Sequence, residues 1–336
     1  MNAPSFRRTS ALLALLLASV AALLPSHAPA QAVRTWEVAS DNDAYDFWIP
    51  AHRRPDFDYT HGMWLAAELD RAPWWGRRLG GGLKDCTGRE TGAERCLTTR
   101  VEFGQKIFTP RRDGVSPVPG ERPYAGWLYA TATGRREGPR SRTTGSVELG
   151  VTGNASLGRV VHQEFHKIAG FWPPSGWGNQ LAFEPGVVLR LQRQMMAFEG
   201  VSAGGVRWAA VVPEGGVALG NVLTGAQLGL RASVGYDVPH PWRPVHAAAR
   251  PALSAYATAA AREDYVAHDL FLDGNTFTGS VSVGHRPLVW QYEAGGGLRW
   301  HRYGLEYRVT TRGRDYETQP ARHQWSTIAL TLDRVP

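Results

Sequence analysis

The sequence contains two cysteines, Cys86 and Cys96, which excludes a disulfide-dense scaffold and any metal centre built on cysteine alone. They do not form a CxxC pair. They bracket the polar stretch DCTGRETGAERC, which can close on itself as a disulfide in an oxidising compartment. Lysine is nearly missing, present only at Lys84, Lys106 and Lys167, so arginine carries almost all of the basic charge behind a net +7. Beyond residue 24 no apolar run approaches the ~20 residues a membrane-crossing helix needs. No GxSxG turn presents a nucleophilic serine. His162-Gln163-Glu164-Phe165-His166 has zinc-protease spacing, but its glutamate stands one place too late for that chemistry. No motif for reading nucleic acid accompanies the basic charge, so anionic lipid headgroups are the expected partner.

Arg7 and Arg8 precede an apolar run from Ala11 to Leu24, followed by Pro25, Ala28-Pro29-Ala30 and Ala30-Gln31-Ala32. This order describes a removable secretory signal over residues 1–32 and leaves 33–336 as one exported domain. No linker, low-complexity tract or repeat divides that domain.

Period-two alternation dominates the exported domain. Tyr303, Leu305, Tyr307 and Val309 alternate with Gly304, Glu306, Arg308 and Thr310, giving one apolar and one polar face. The same pattern recurs at Val147, Leu149 and Val151, at Trp290 to Trp300, and at Ser326 to Leu332. Alternation alone fits a soluble sandwich or a membrane barrel. Aromatics at expected strand ends (Trp36, Trp64, Trp74, Trp75, Trp127, Tyr129, Trp300, Tyr303) and turns alternating between short and long favour the barrel. The expected fold is therefore all-β: a single transmembrane antiparallel β-barrel of about twelve strands with a short helix in an external loop. External loops are expected at 43 to 58, 110 to 122, 153 to 179 and around 263 to 286. Among the expected strands are 205 to 214 and 249 to 262. The chain ends in Asp-Arg-Val-Pro rather than on an aromatic, the one feature favouring a sandwich.

Ser156 to Gly186 breaks the strand pattern with an amphipathic helix centred on His166. A titratable ring in an external loop is where chemistry is expected. Five motifs occur in order: Asp41-Asn42-Asp43, Asp58-Tyr59-Thr60-His61-Gly62, Gly104 to Pro110, Glu121 to Leu128, and the His166 loop ending Gly176-Trp177-Gly178-Asn179-Gln180. Together they resemble the outer-membrane lipid A 3'-O-deacylase (LpxR) family, most strongly from Asp41 to Gly186. The resemblance implies a calcium-dependent esterase at the outer rim, acting on lipid A of the lipopolysaccharide, in the outer membrane. It places the family's catalytic residues on Asn42, Asp43, Thr60 and His166. The family's loop lysine has no counterpart; RRDGVS stands there, so Arg111 or Arg112 is its expected replacement in substrate binding. No motif calls for an obligate protein partner.

Elementary chemistry agrees. Ester hydrolysis needs a base for water and positive charge at the oxyanion. His166 suits the first, and Asp43, with Asp41 or a loop carbonyl, could hold a hard cation for the second. Ordinary structural roles compete: His166 packing beside Val161, Phe165 and Ile168, the acidic triplet as a strand-ending turn, Thr60 as a strand hydroxyl, Asp58 as a turn acceptor. Phospholipase-like hydrolysis, or a non-catalytic barrel serving as small channel or interaction protein, are the alternative functions. Strand parity adds that Asn42 shares the lipid face with Trp36 and Val38, and Gln105 with Val101, Phe103 and Ile107. Polar groups there need a cover, which the His166 helix would provide, making Gln105 a candidate site residue.

Overall fold

The computed structural model describes residues 33–46, 57–86, 95–169, 172–242 and 253–334. The expected signal segment, 1–32, lies outside them. The strands are β1 (Val33–Asn42), β2 (Asp58–Leu69), β3 (Cys96–Thr109), β4 (Ala125–Glu137), β5 (Ser141–Val151), β6 (Pro185–Met195), β7 (Phe198–Val201), β8 (Arg207–Gly220), β9 (Leu223–Tyr236), β10 (Leu253–Asp269), β11 (Leu288–Trp300), β12 (Tyr303–Arg312) and β13 (His323–Asp333). All 13 belong to one sheet. β1 pairs with β13 and β6 with β8, so the sheet closes, and β7 only flanks β8 outside the ring. Closure of the other twelve strands satisfies every edge, which a lipid environment requires.

The alternation expected from the sequence sorts correctly between lipid and lumen. Val38, Leu189, Leu191, Leu228, Leu230, Leu305 and Leu330 are exposed outward. Their neighbours face inward and pair: Glu148 with Arg190 at 2.9 Å, Glu293 with Arg231 at 2.8 Å, and Tyr256 Oη donating to Glu306 at 2.6 Å. The lumen keeps a cavity of about 570 Å³. Its external mouth is plugged by the short helix α3 (Leu270–Asp273), whose Phe271 ring stacks on Phe108 at 4.5 Å and meets Trp127 at 6.1 Å. (The two other helices are α1, Trp74–Gly80, and α2, Gly158–Ala169.)

Three expectations are corrected. Trp127 and Tyr129 are not girdle residues: both are buried in the lumen, where Trp127 donates to Glu148 and Tyr129 to Glu102. Trp64 likewise donates inward to Glu37. β8 and β10 run further than expected, to Gly220 and Asp269, so the excursion from 263 begins as strand. Gly215, Gly216 and Ala218, beyond the expected end of that strand, are carried by ladder pairing with β6 and β9. Cys86 and Cys96 form the expected disulfide, at the end of the barrel opposite α2.

Candidate active site at the outer rim

Strand parity holds on β1. Exposure falls along its outward residues from Trp36 and Val38 to Ser40 and then Asn42, which is only 4% exposed. Two flaps cause this. On one side the turn Asp43–Tyr45 folds outward over β13, where Tyr307 Oη donates to the Tyr45 carbonyl and Ser40 Oγ meets Tyr45 Oη at 3.1 Å. On the other side α2 lies against β3 and β4. Between them runs a strip of outer wall, Asn42 opposite His61, Ser40 opposite Met63, Val38 opposite Leu65. Met63, Leu65 and Val38 are exposed, so the strip leads from the rim onto the lipid-facing wall.

The cover over β3 is direct. Gln105 Nε2 donates to the Ser156 carbonyl at 2.6 Å, just before α2 begins. Ile107 is fully buried under Tyr124, Trp177 and Val161. The approach is closer than any side chain would allow: a Cβ on Gly126 would stand 2.2 Å from Ser156 Oγ, and one on Gly158 2.9 Å from the Gly126 Cα. Glycine is required at both positions because two backbones meet there.

His166 is 8% exposed and its Nδ1 lies 2.7 Å from the Trp172 carbonyl. A carbonyl only accepts, so Nδ1 carries the proton and the neutral ring's basic lone pair is on Nε2. His162, one turn away, meets His166 edge to face with centroids 4.5 Å apart, and its Nδ1 accepts from Trp177 Nε1 at 3.1 Å. The Asn42 amide is oriented by the Ala44 N–H on Oδ1 at 2.7 Å, which turns Nδ2 toward His61 Nδ1 at 3.4 Å. Thr60 occupies a bulge of β2; its hydroxyl pairs with Thr109 at 2.7 Å, and the bulge turns His61 outward while Tyr59 points into the lumen.

Other expected site residues fall elsewhere. Asp41 does not join Asp43. It faces the lumen, where Tyr59 donates to one oxygen at 2.8 Å and Thr327 to the other at 2.7 Å. Asp43 is 1% exposed in the turn and accepts from Phe57 N at 3.2 Å. Arg111 is bound inward: its guanidinium pairs with the fully buried Asp58 at 2.7 Å and lies over Phe57 at 4.2 Å. Arg112 is 70% exposed and held at its base by Glu121. Tyr124 is buried against Trp177. An unforeseen residue organises the loops. Asp113 accepts from Tyr124 Oη at 2.6 Å, from Ser175 N and Oγ, and from Gly176 N at 3.0 Å, tying the β3–β4 loop to the segment that carries Trp177. Burial pushes its carboxyl upward, but these donors outweigh it and hold the group below its ordinary value. Its only trace in the sequence was the DG turn signal of Asp113-Gly114.

A closed antiparallel barrel that turns apolar side chains outward is the architecture of an outer-membrane protein. The sequence profile described as "Outer membrane protein LpxR" matches residues 12–333. The chain therefore belongs to the LpxR family and is an outer-membrane protein. Among solved structures it is similar to LpxR from Salmonella typhimurium, at 16% identity over 89% of this chain and 100% of that one, with a TM-score of 0.72. The β domain of the Bordetella autotransporter BrkA follows at 11% identity, covering 90% and 99% of the two chains, with a TM-score of 0.44. Curated protein sequences contain no match to the chain.

Proposed function

We propose that this protein is a lipid A deacylase that hydrolyses an acyl ester, at the 3'-O position by family resemblance, of lipopolysaccharide in the outer membrane. The observation that carries the reading is His166: the Trp172 carbonyl holds its Nδ1, which leaves Nε2 as the basic atom, and it lies on the helix that covers β3 and β4 beside a wall of exposed apolar side chains. An ester whose acyl chain lies along Val38, Leu65 and Met63 brings its carbonyl to the rim. His166 Nε2 takes the proton of an attacking water and returns it to the leaving alkoxide. Asn42, whose Nδ2 faces His61 and keeps a second N–H, would donate to the negative charge that develops on the carbonyl oxygen. Thr60 acts through the bulge that it fills.

Calcium is proposed here on the family resemblance. Among the described residues Asp43 belongs to no cluster of three metal-ligating side chains. A carboxylate such as that of Asp43 is the oxygen ligand that a hard cation takes. Asp43 would hold calcium, which when bound supplies Lewis-acid polarisation of the ester carbonyl.

The test is mass spectrometry of lipid A from cells carrying the wild type or His166→Ala. Loss of one acyloxyacyl mass with the wild type, and a rate at least ~100-fold lower with a folded variant, is expected for loss of a general base. Unchanged lipid A with both would remove the deacylase reading. With purified protein, chelation should abolish turnover, and calcium should restore it better than zinc.

A further inference from the structure

The end of the barrel opposite the active site carries a second element on its outer wall. Helix α1 packs Trp75 against Ala67, Leu69 and Val101. A Cβ on Gly76 would stand 2.5 Å from Thr99 Cγ2, and one on Gly80 2.7 Å from Leu97, so the helix lies flat on β3. Register shows which residues surround it. Ala67 pairs across from Trp36, Trp36 from Leu332, Leu332 from Tyr303, and Tyr303 from Trp300. Trp36, Tyr303 and Trp300 are all exposed and lie toward this same end of their strands. Exposed aromatics there mark the membrane–water boundary, so α1 sits at headgroup depth.

What α1 shows to that layer is Trp74, 69% exposed, with Arg71, Arg77 and Arg78 also exposed. The Arg78 guanidinium lies 6.0 Å from the Trp74 ring centroid. Among the described carboxylates only Asp85 is within ion-pair distance of these arginines, reaching Arg77 at 3.7 Å. A ring that prefers the interface beside guanidinium groups that bond phosphate bidentately is a combination for lipid headgroups.

We infer that α1 with Arg71 is a binding site for anionic glycerophospholipid headgroups of the periplasmic leaflet, separate from the active site and independent of the deacylase reading. Each arginine at the surface contributes about fivefold to the preference for an anionic lipid. The test is native mass spectrometry of detergent-solubilised protein titrated with phosphatidylglycerol or phosphatidylcholine. Wild type should retain phosphatidylglycerol at least ~10-fold more strongly, and the preference should fall steeply with added salt. Combined Arg71→Gln, Arg77→Gln and Arg78→Gln should bring the two lipids near parity, with lysine at the same three positions restoring most of the preference. Trp74→Ala should weaken both lipids, and inorganic phosphate should not compete. No preference in the wild type, a salt-insensitive preference, or an undiminished one in the glutamine variant would each overturn the site. The wild-type arms decide it even if the variant fails to fold.

Discussion

At the scale of single residues, two neighbouring arginines that look interchangeable in the sequence have opposite environments. Arg111 neutralises the fully buried Asp58, which also accepts from Tyr316 and Gln319. Arg112 points to solvent. Arg111→Gln should therefore cost stability, about 3 to 5 kcal/mol for a buried carboxylate left without its cation, read as a lower unfolding temperature of the folded form on a heat-modifiability gel. Arg112→Gln should leave stability unchanged. If the exposed arginine contacts a lipid A phosphate, its loss should raise KM on phosphorylated lipid A and not on the dephosphorylated substrate. Equal effects of the two variants on stability would show that the Asp58 pair is not what separates them.

At the scale of elements, helix α2, which carries His166, is held by contacts that leave little latitude. Gly126 and Gly158 set its distance from β4, and Asp113 and Glu184 lock the loops on either side. Glu184 is buried and accepts from Asn221, Asn275, Thr276 and Phe277, joining the β8–β9 turn and the β10–β11 loop. Gly126→Ala should lift α2 from the wall and reduce kcat by about 100-fold, the scale of misplacing a catalytic group by an ångström, while the barrel stays heat-modifiable. Asp113 adds a pH dependence. Its carboxyl is held below the ordinary 3.8, so the latch contributes fully above that value and is lost as pH falls through the lowered one. Hydrogen exchange of residues 172 to 179 should be slow and flat from pH 8 to 5, after correction for intrinsic rates, and rise only below about pH 4. Asp113→Asn should abolish that step.

At the scale of the whole molecule, the lipid face and the plugged lumen make their own predictions. Leu230 lies near the middle of β9 and faces lipid, whereas Leu305 stands two residues from Tyr303, the first residue of β12. Leu230→Arg should destabilise the inserted barrel by ~2 to 4 kcal/mol and Leu305→Arg by ~1 or less, measured by denaturant titration in vesicles, because the cost of a charge depends on depth. The Phe271 plug and the paired lumen charges make an open pore an unexpected property. Planar bilayers holding the wild type should show no steady conductance, and a persistent open level would contradict the packing around Phe271.

Much of this was legible in the sequence because a barrel wall is built from a local signal. Alternation with period two assigns each residue of a strand to lipid or lumen, so parity alone placed Asn42 and Gln105 on the outer face and required something to cover them. The helix around His166, the Cys86–Cys96 closure and about twelve strands were readable for the same reason: each depends on residues near in sequence. What only the tertiary structure decided depends on which loops meet. Asp41 and Asp43 are two residues apart, yet one turns into the lumen and the other into the rim turn. Arg111 finds Asp58 and Asp113 finds Ser175 across loops whose path no local pattern encodes. The lone pair of His166 is assigned by a carbonyl six residues away, because the chain after α2 folds back onto the ring.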